Sequence, residues 1–347
     1  MTTAIDEGVE MARSLDESLS RILNVEILLE SACDDLPLPA ALAETIAGLG
    51  LQGIAVAEDS GGLGLELGDR VRLAAVLGRR LVPAAVRNEA FGVAPALALA
   101  APADARAAEL LARLLDGGSS VGLALASREG GDLLAQMPEG AEALVVLDLD
   151  RITVFETAEG FPSVPLAGLD PGQGLRRVKP DSAEPVVTVI GERAARVRRE
   201  FELALICEAF GSAERTLELS AEYADEREQF GRPISSFQAV GHLLAEMKLG
   251  LETSRAGIGR FVDLDGESHA PETEIEQWRA TLAHSVPAAA RRACEGAIQV
   301  HGGIGFSWEL GLHLHYRRIL ADQYMLGGES ASAEVIGSAY LDRREAA

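Results

Sequence analysis

The segment Tyr223-Ala-Asp-Glu-Arg-Glu-Gln-Phe-Gly-Arg-Pro-Ile-Ser-Ser-Phe-Gln238 gathers the residues best suited to chemistry. Gly231 and Pro233 stop one helix, and Ser235 or Ser236 is placed to cap the next, which predicts an exposed turn between two helices. Arg227 and Arg232 flank that turn. A guanidinium fork there grips a phosphate in bidentate fashion, or else the two arginines are simply solvated at a helix corner. Other groups give a weaker signal. His313 and His315 form an HxH pair without a third ligand, so a helix surface or an interface is expected for them rather than a metal. Trp278 and Trp308 read as packing residues, and Arg317 and Arg318 as solvated arginines. Cys33, Cys207 and Cys294 lie far apart with no CxxC spacing, which predicts neither a disulfide framework nor a metal site.

The elements that must position this turn follow from periodicity. From about Ser14 to Gly118 apolar residues recur at helical spacing, as in Leu15, Leu19, Ile22 and Leu23, with a glycine-rich joint from Gly48 to Asp69. From about Ser119 to Gly191 the runs VGLALAS, ALVVLDL, ITVFE and VVTVI are short, β-branched and bounded by Gly, Pro and Asp; they predict a small β domain of at most five or six strands. From Glu192 onward long helices return over Ala194 to Arg227, Phe237 to Val262 and Glu274 to His301, the last with an internal Pro287, and such helices form a bundle. The expected fold is mainly α with a small central β domain. Its expected domains are 1–118 (N-terminal helical), 119–191 (reduced middle β) and 192–347 (C-terminal helical bundle).

Composition narrows the function classes. Hydrophobic residues make up 48% and aromatics 4%, with Ala, Leu and Gly dominant, a mix suited to closely packed helices. The formal charge of −23 argues against nucleic acid or an anionic membrane as partner, and any bound anion must be met by particular arginines. No apolar run approaches the length of a membrane span, and the acidic N-terminus lacks a basic region followed by an apolar core, so a cytoplasmic protein is expected.

Two motifs carry a resemblance to a known family. REQFGRPISSFQ resembles the RxQFGxPIxxFQ signature of acyl-CoA dehydrogenases, and Gln299-Val-His-Gly-Gly-Ile-Gly305 resembles their Q-x-x-GGxG turn. LGLQGIAVAEDSGGLGLEL is similar, less specifically, to the family's N-terminal glycine-rich joint. The resemblance implies an N-terminal helical domain, a middle β domain and a C-terminal four-helix bundle, with FAD lying across a subunit boundary. Carried over residue by residue, it assigns Arg227, Gln229, Phe230, Phe237 and Gln238 to FAD, with Gln299, Val300, His301, Gly302 and Gly303. His301 is expected near the adenosine. The physics agrees, since glycines let backbone N–H groups approach an anion and an arginine neutralises it.

The sequence also departs from the family. Acyl-CoA dehydrogenation needs a carboxylate to take the α-proton. At one family position for it, in Tyr324-Met-Leu-Gly-Gly-Glu329, Leu326 stands; at the other, on the helix leading to Arg227, a gapless count reaches Phe201. Glu202 and Glu329 are the weak candidates that remain, Glu202 reading as a surface glutamate and Glu329 as a helix N-terminal charge. Between Leu123 and Leu147 the family's flavin-covering tryptophan is missing and its glycine-rich loop is abbreviated. The chain thus resembles the short subunits of actinobacterial α2β2 acyl-CoA dehydrogenases that act on CoA thioesters of steroid side chains. The resemblance implies an acyl-CoA substrate, a homologous partner subunit that supplies the glutamate, and an electron-transfer flavoprotein as acceptor. The alternatives are a self-sufficient homotetramer using Glu202 or Glu329, and a non-catalytic scaffold subunit.

Overall fold

The computed structural model of the chain describes residues 4–34, 39–117, 121–126, 133–157, 161–179, 183–267 and 270–345. Residues 127–132, part of the Leu123–Leu147 stretch in which the resemblance expects the family's glycine-rich loop, and the side chain of Cys33 lie outside the described residues. The architecture is mainly helical with one central sheet, as the sequence predicts.

The first stretch holds helices α1 (Ala4–Ile22), α2 (Val25–Asp34), α3 (Ala40–Gly48), α4 (Leu67–Arg79), α5 (Ala84–Asn88), α6 (Ala94–Ala100) and α7 (Ala105–Leu115). Leu15 and Leu19 of the predicted stripe are fully buried. Asp104 caps α7, its side chain accepting from the backbone N–H of Arg106 at 2.7 Å and of Ala107 at 3.2 Å. The glycine-rich joint between α3 and α4 folds into two short 3₁₀ turns, Leu51–Gly53 and Glu58–Ser60. Gly62 is required there, because a Cβ would lie 2.1 Å from the carbonyl oxygen of Val56.

The sheet has seven strands rather than five or six. β1 (Val121–Leu125), β3 (Ala143–Leu147), β4 (Arg151–Glu156) and β7 (Pro185–Ile190) are the β-branched runs; β2 (Leu133–Gln136), β5 (Ser163–Pro165) and β6 (Leu175–Val178) are the additional strands. These three are short and two of them carry charge or proline, which hides their periodicity. The order is β5-β6-β2-β1-β3-β4-β7, antiparallel except for the β1–β3 pair. β3 is buried along its whole length, as its continuous ALVVL run requires of an interior strand.

The later helices are α8 (Glu192–Glu226), α9 (Gln238–Gly266), α10 (Glu272–His301), α11 (Leu312–Met325) and α12 (Gly328–Glu345). The chain divides into two compact units: residues 1–22, 37–70 and 82–204 form the first, residues 23–36, 71–81 and 205–347 the second. The β sheet belongs to the first unit.

Small residues set the close approaches within the second unit. A Cβ on Gly211 would stand 1.9 Å from the carbonyl oxygen of Ala75, and one on Gly78 1.9 Å from that of Glu208, so two backbones touch where glycines meet. α9 and α10 run antiparallel through Gly250 beside Ala289 and Gly257 beside Leu282, while Gly296 makes room for Met247. Among the described residues no helix is long and apolar enough to cross a membrane.

Candidate functional site

α8 ends at Glu226, and the chain then doubles back as a two-stranded hairpin, β8 (Glu228–Gln229) on β9 (Arg232–Pro233). Phe230 and Gly231 form its loop with φ of 55° and 76°. A two-residue hairpin loop with both residues at positive φ is a type I′ geometry, for which Asn-Gly is the usual choice. Phenylalanine there is strained by about 1–3 kcal/mol, and strain of this kind clusters at functional sites. Its ring is also 92% exposed, so packing does not repay the strain.

The serines do not cap α9 as expected. Ile234–Ser236 winds as a 3₁₀ turn that puts Phe237 at the N-cap without a side-chain bond, and Ser236 Oγ donates to the carbonyl of Pro233 at 2.7 Å. Phe237 is half-buried. Phe230 meets it edge-on at 6.1 Å, and the Arg232 guanidinium lies 4.1 Å from its ring centroid. Arg227, Gln229 and Gln238 are exposed. Neither Arg227 nor Gln229 has a side-chain partner among the described residues, whereas Gln238 Nε2 approaches His242 Nε2 at 3.4 Å.

The second motif closes α10. Gln299 is exposed, Val300 and His301 are buried, and Gly302 turns the chain with φ 62° and ψ −133°, a conformation open to glycine. Gly302 and Gly303 are exposed, and a Cβ on either would meet nothing within 4 Å. His301 stacks on Tyr223 at 4.4 Å and 25°, and its Nδ1 donates to the Ala297 carbonyl at 2.8 Å. That stack joins the ends of α8 and α10, so two motifs seventy residues apart in the chain emerge side by side within one unit.

The two positions to which the resemblance assigns the base hold buried hydrocarbon: Phe201 is 0% exposed and Leu326 7%. Phe201 packs in the first unit, with Gly92 opposite its ring and the Arg87 guanidinium 5.6 Å from its centroid. Glu202 is not the surface glutamate expected. It is buried, and Arg198 Nε donates to it at 2.8 Å while Arg198 Nη1 donates to the Leu147 carbonyl at 2.8 Å. Its α8 face is the one turned to the sheet. Glu329 is exposed, accepting from Gln323 Nε2 at 3.2 Å with Arg291 at 3.6 Å.

Glu89 escaped the sequence reading. It opens a π-helical turn, Glu89–Val93, between α5 and α6, and such turns are frequent at functional sites. Burial pushes its carboxyl up to about 7, against an opposing hydrogen bond from the Gln52 side chain. The signal available was a carboxylate immediately before the apolar run Ala90 to Ala101.

Other expectations are corrected. His315 is buried rather than on a helix surface: its Nδ1 lies 2.8 Å from Ser212 Oγ, and desolvation with nearby arginines pulls it down to about 3, so the imidazole is neutral. Arg318 is not solvated but 1% exposed, donating to Glu208 at 2.6 Å. Trp308 is half-exposed, with His313 edge-on at 4.3 Å and the Arg317 guanidinium 5.1 Å away. No cluster of three metal-ligating side chains exists among the described residues. Cys207 and Cys294 are buried free thiols, both pushed up by burial.

At the ends of α8 and α10 the second unit exposes an arginine, glutamines and two glycines, groups of the kind that meet an anion. The comparisons give the family. The profile for the acyl-CoA dehydrogenase C-terminal domain matches residues 199–341. Acyl-CoA dehydrogenase IpdE2 of Mycobacterium tuberculosis is 33% identical over 318 residues, covering 91% of this chain and 84% of that protein. Among solved structures, a variant of the Tcur3481-Tcur3483 steroid ACAD has a TM-score of 0.79 at 22% identity, covering 99% of this chain and 100% of that one. The ChsE4-ChsE5 complex from Mycobacterium tuberculosis has 0.76 at 22%, covering 98% of each. The chain belongs to the acyl-CoA dehydrogenase family. FAD is the cofactor of that family.

Proposed function

We propose that this chain is one subunit of an α2β2 acyl-CoA dehydrogenase, in which it lends part of an FAD site to a homologous subunit that carries the catalytic glutamate. One contrast carries the reading. Of the residues that resemble the family's FAD motif, Arg227, Gln229, Phe230, Gln238, Gln299, Gly302 and Gly303 are exposed, and Arg227 and Gln229 have no side-chain partner among the described residues, whereas Phe201 and Leu326 put buried hydrocarbon at the positions the resemblance gives to the base. A site completed inside this chain would have spent its polar groups inward.

The residues fit the group. Arg227, without a side-chain partner among the described residues, would neutralise a pyrophosphate; Gln229, Gln238 and Gln299 offer amides; Gly302 and Gly303 leave their backbone N–H groups unshielded by side chains. Exposed Phe230 gives a flat apolar ring beside them. When bound, FAD supplies the two-electron acceptor for α,β-dehydrogenation of an acyl-CoA thioester. The partner's carboxylate takes the α-proton, since none of this chain's residues at those positions accepts one. The resemblance, and solved neighbours described as a steroid ACAD and as a two-protein complex, support a steroid side-chain thioester as substrate and a heteromeric assembly. An electron-transfer flavoprotein in the cytoplasm is the proposed acceptor.

The test is to purify the chain alone and with a homologous acyl-CoA dehydrogenase chain from the same source. Flavin absorbance and acyl-CoA-dependent dye reduction are expected only in the mixture. Stoichiometric flavin and turnover in the single chain would overturn the reading. A self-sufficient enzyme is favoured by one observation, Glu89, whose raised proton affinity suits a base; loss of such single-chain turnover in Glu89→Gln would establish it.

A further inference from the structure

Arg232 is the charged residue of the hairpin that the FAD reading leaves unused. In the β8–β9 pair Gln229 stands opposite Arg232, and Glu228 stands opposite Pro233. Residues directly opposite in an antiparallel pair share a face, and successive residues alternate between faces. Arg232 therefore shares the face of Gln229, and Glu228 lies on the other.

The strained loop secures that pairing. A two-residue turn fixes the register of the strands it joins, so the positive φ of Phe230 and Gly231 is what sets Gln229 and Arg232 side by side.

An aromatic ring then fixes the arginine's direction. The Arg232 guanidinium lies 4.1 Å from the centroid of the Phe237 ring, which Phe230 meets edge-on. An arginine held over a ring keeps its N–H donors for a further partner, and it has already given up part of the rotamer freedom that binding would cost. Arg232 is exposed, and no carboxylate among the described residues pairs with it.

Charge makes the same demand. Asp225, Glu226 and Glu228 are exposed around Arg227, and the chain as a whole carries −23. A pyrophosphate adds negative charge to this acidic surrounding, where Arg227 by itself is outnumbered.

We infer that Arg232 is a second cation of the FAD half-site, meeting the pyrophosphate jointly with Arg227 while Phe237 holds it in place. The inference rests on the proposed FAD reading and adds to it the group that recognises the charged linkage of the dinucleotide.

The experiment uses the full chain assembled with the homologous acyl-CoA dehydrogenase chain, freed of flavin and titrated with FAD at several NaCl concentrations. Arg232→Gln is expected to weaken FAD binding by about tenfold and to flatten its salt dependence, because salt screens an ionic contact and not a packing contact. Arg232→Lys keeps the charge and loses the fork, so a smaller loss of affinity with most of the salt dependence retained is expected. In both variants the chain alone should melt as before, since Arg232 is exposed.

An FAD affinity unchanged in Arg232→Gln overturns the inference. So does a weakened affinity with the salt dependence of the unmodified complex, which would make Arg232 a support for the Phe237 ring rather than a ligand of the phosphates. Either result leaves the FAD reading standing, because the complex still takes up flavin. An unmodified complex that binds no FAD at any salt concentration defeats the FAD reading itself, and the inference with it.

Discussion

Two charged residues of the second unit, Glu208 in the middle of α8 and Arg227 just past its end, meet opposite fates. Glu208 is 0% exposed and takes a hydrogen bond from Arg318 of α11, itself 1% exposed, at 2.6 Å. Arg227 is exposed and has no side-chain partner among the described residues. Burying one ion without the other would be costly, so the Glu208–Arg318 pair is satisfied where it sits. No described residue satisfies Arg227. Charge spent inward holds the fold, and charge left outward is available to a ligand or to another subunit.

Mutations should therefore separate stability from cofactor binding. Arg318→Ala removes the guanidinium that donates to the buried Glu208 and is expected to cost about 3–5 kcal/mol of stability, measured by urea denaturation; a loss below about 1 kcal/mol would mean that the pair contributes little. Arg227→Ala should do the reverse. In the assembled complex it is expected to weaken FAD retention by about 1.5–3 kcal/mol, while the denaturation midpoint of the chain alone stays put. Unchanged flavin content would remove the role assigned to Arg227.

Glu89 sharpens the contrast through pH. Its carboxyl is raised in the folded chain from 4.5 to about 7, so its neutral form is the one the fold prefers. The corresponding stability is fully present below pH 4.5 and is lost as pH rises through about 7, by roughly 1–3 kcal/mol. Glu89→Gln should flatten that part of the stability profile; a profile identical to that of the unmodified chain would show that Glu89 is not the titrating group. The smallest effect belongs to Phe230. Replacing it with Gly relieves the φ of 55° and should raise stability by about 1 kcal/mol while lowering FAD retention in the complex. A stability loss instead would show that the ring is held by packing.

The sequence made the long helices legible because apolar residues recur along α8, α9 and α10 over many turns, and contiguity made the two FAD motifs legible. What it hid depends on distance or on shortness. Glu208 and Arg318 are 110 residues apart, so nothing local marked Arg318 as buried. Glu202 looked like a surface residue until the sheet and Arg198 closed over it. The strand Leu175-Arg-Arg-Val178 carries two arginines in four residues and reads as a loop until β2 and β5 pair with it. The strained hairpin at Phe230-Gly231 was visible only as a helix stop, because a turn type is a matter of φ rather than of residue identity.

Flavin content of the purified chain, measured alone and together with its homologue, tests the central claim most directly. The account predicts a colourless, inactive chain by itself and a yellow complex that oxidises acyl-CoA when the homologue is present. A single chain that holds FAD stoichiometrically and turns over acyl-CoA without a partner would contradict it.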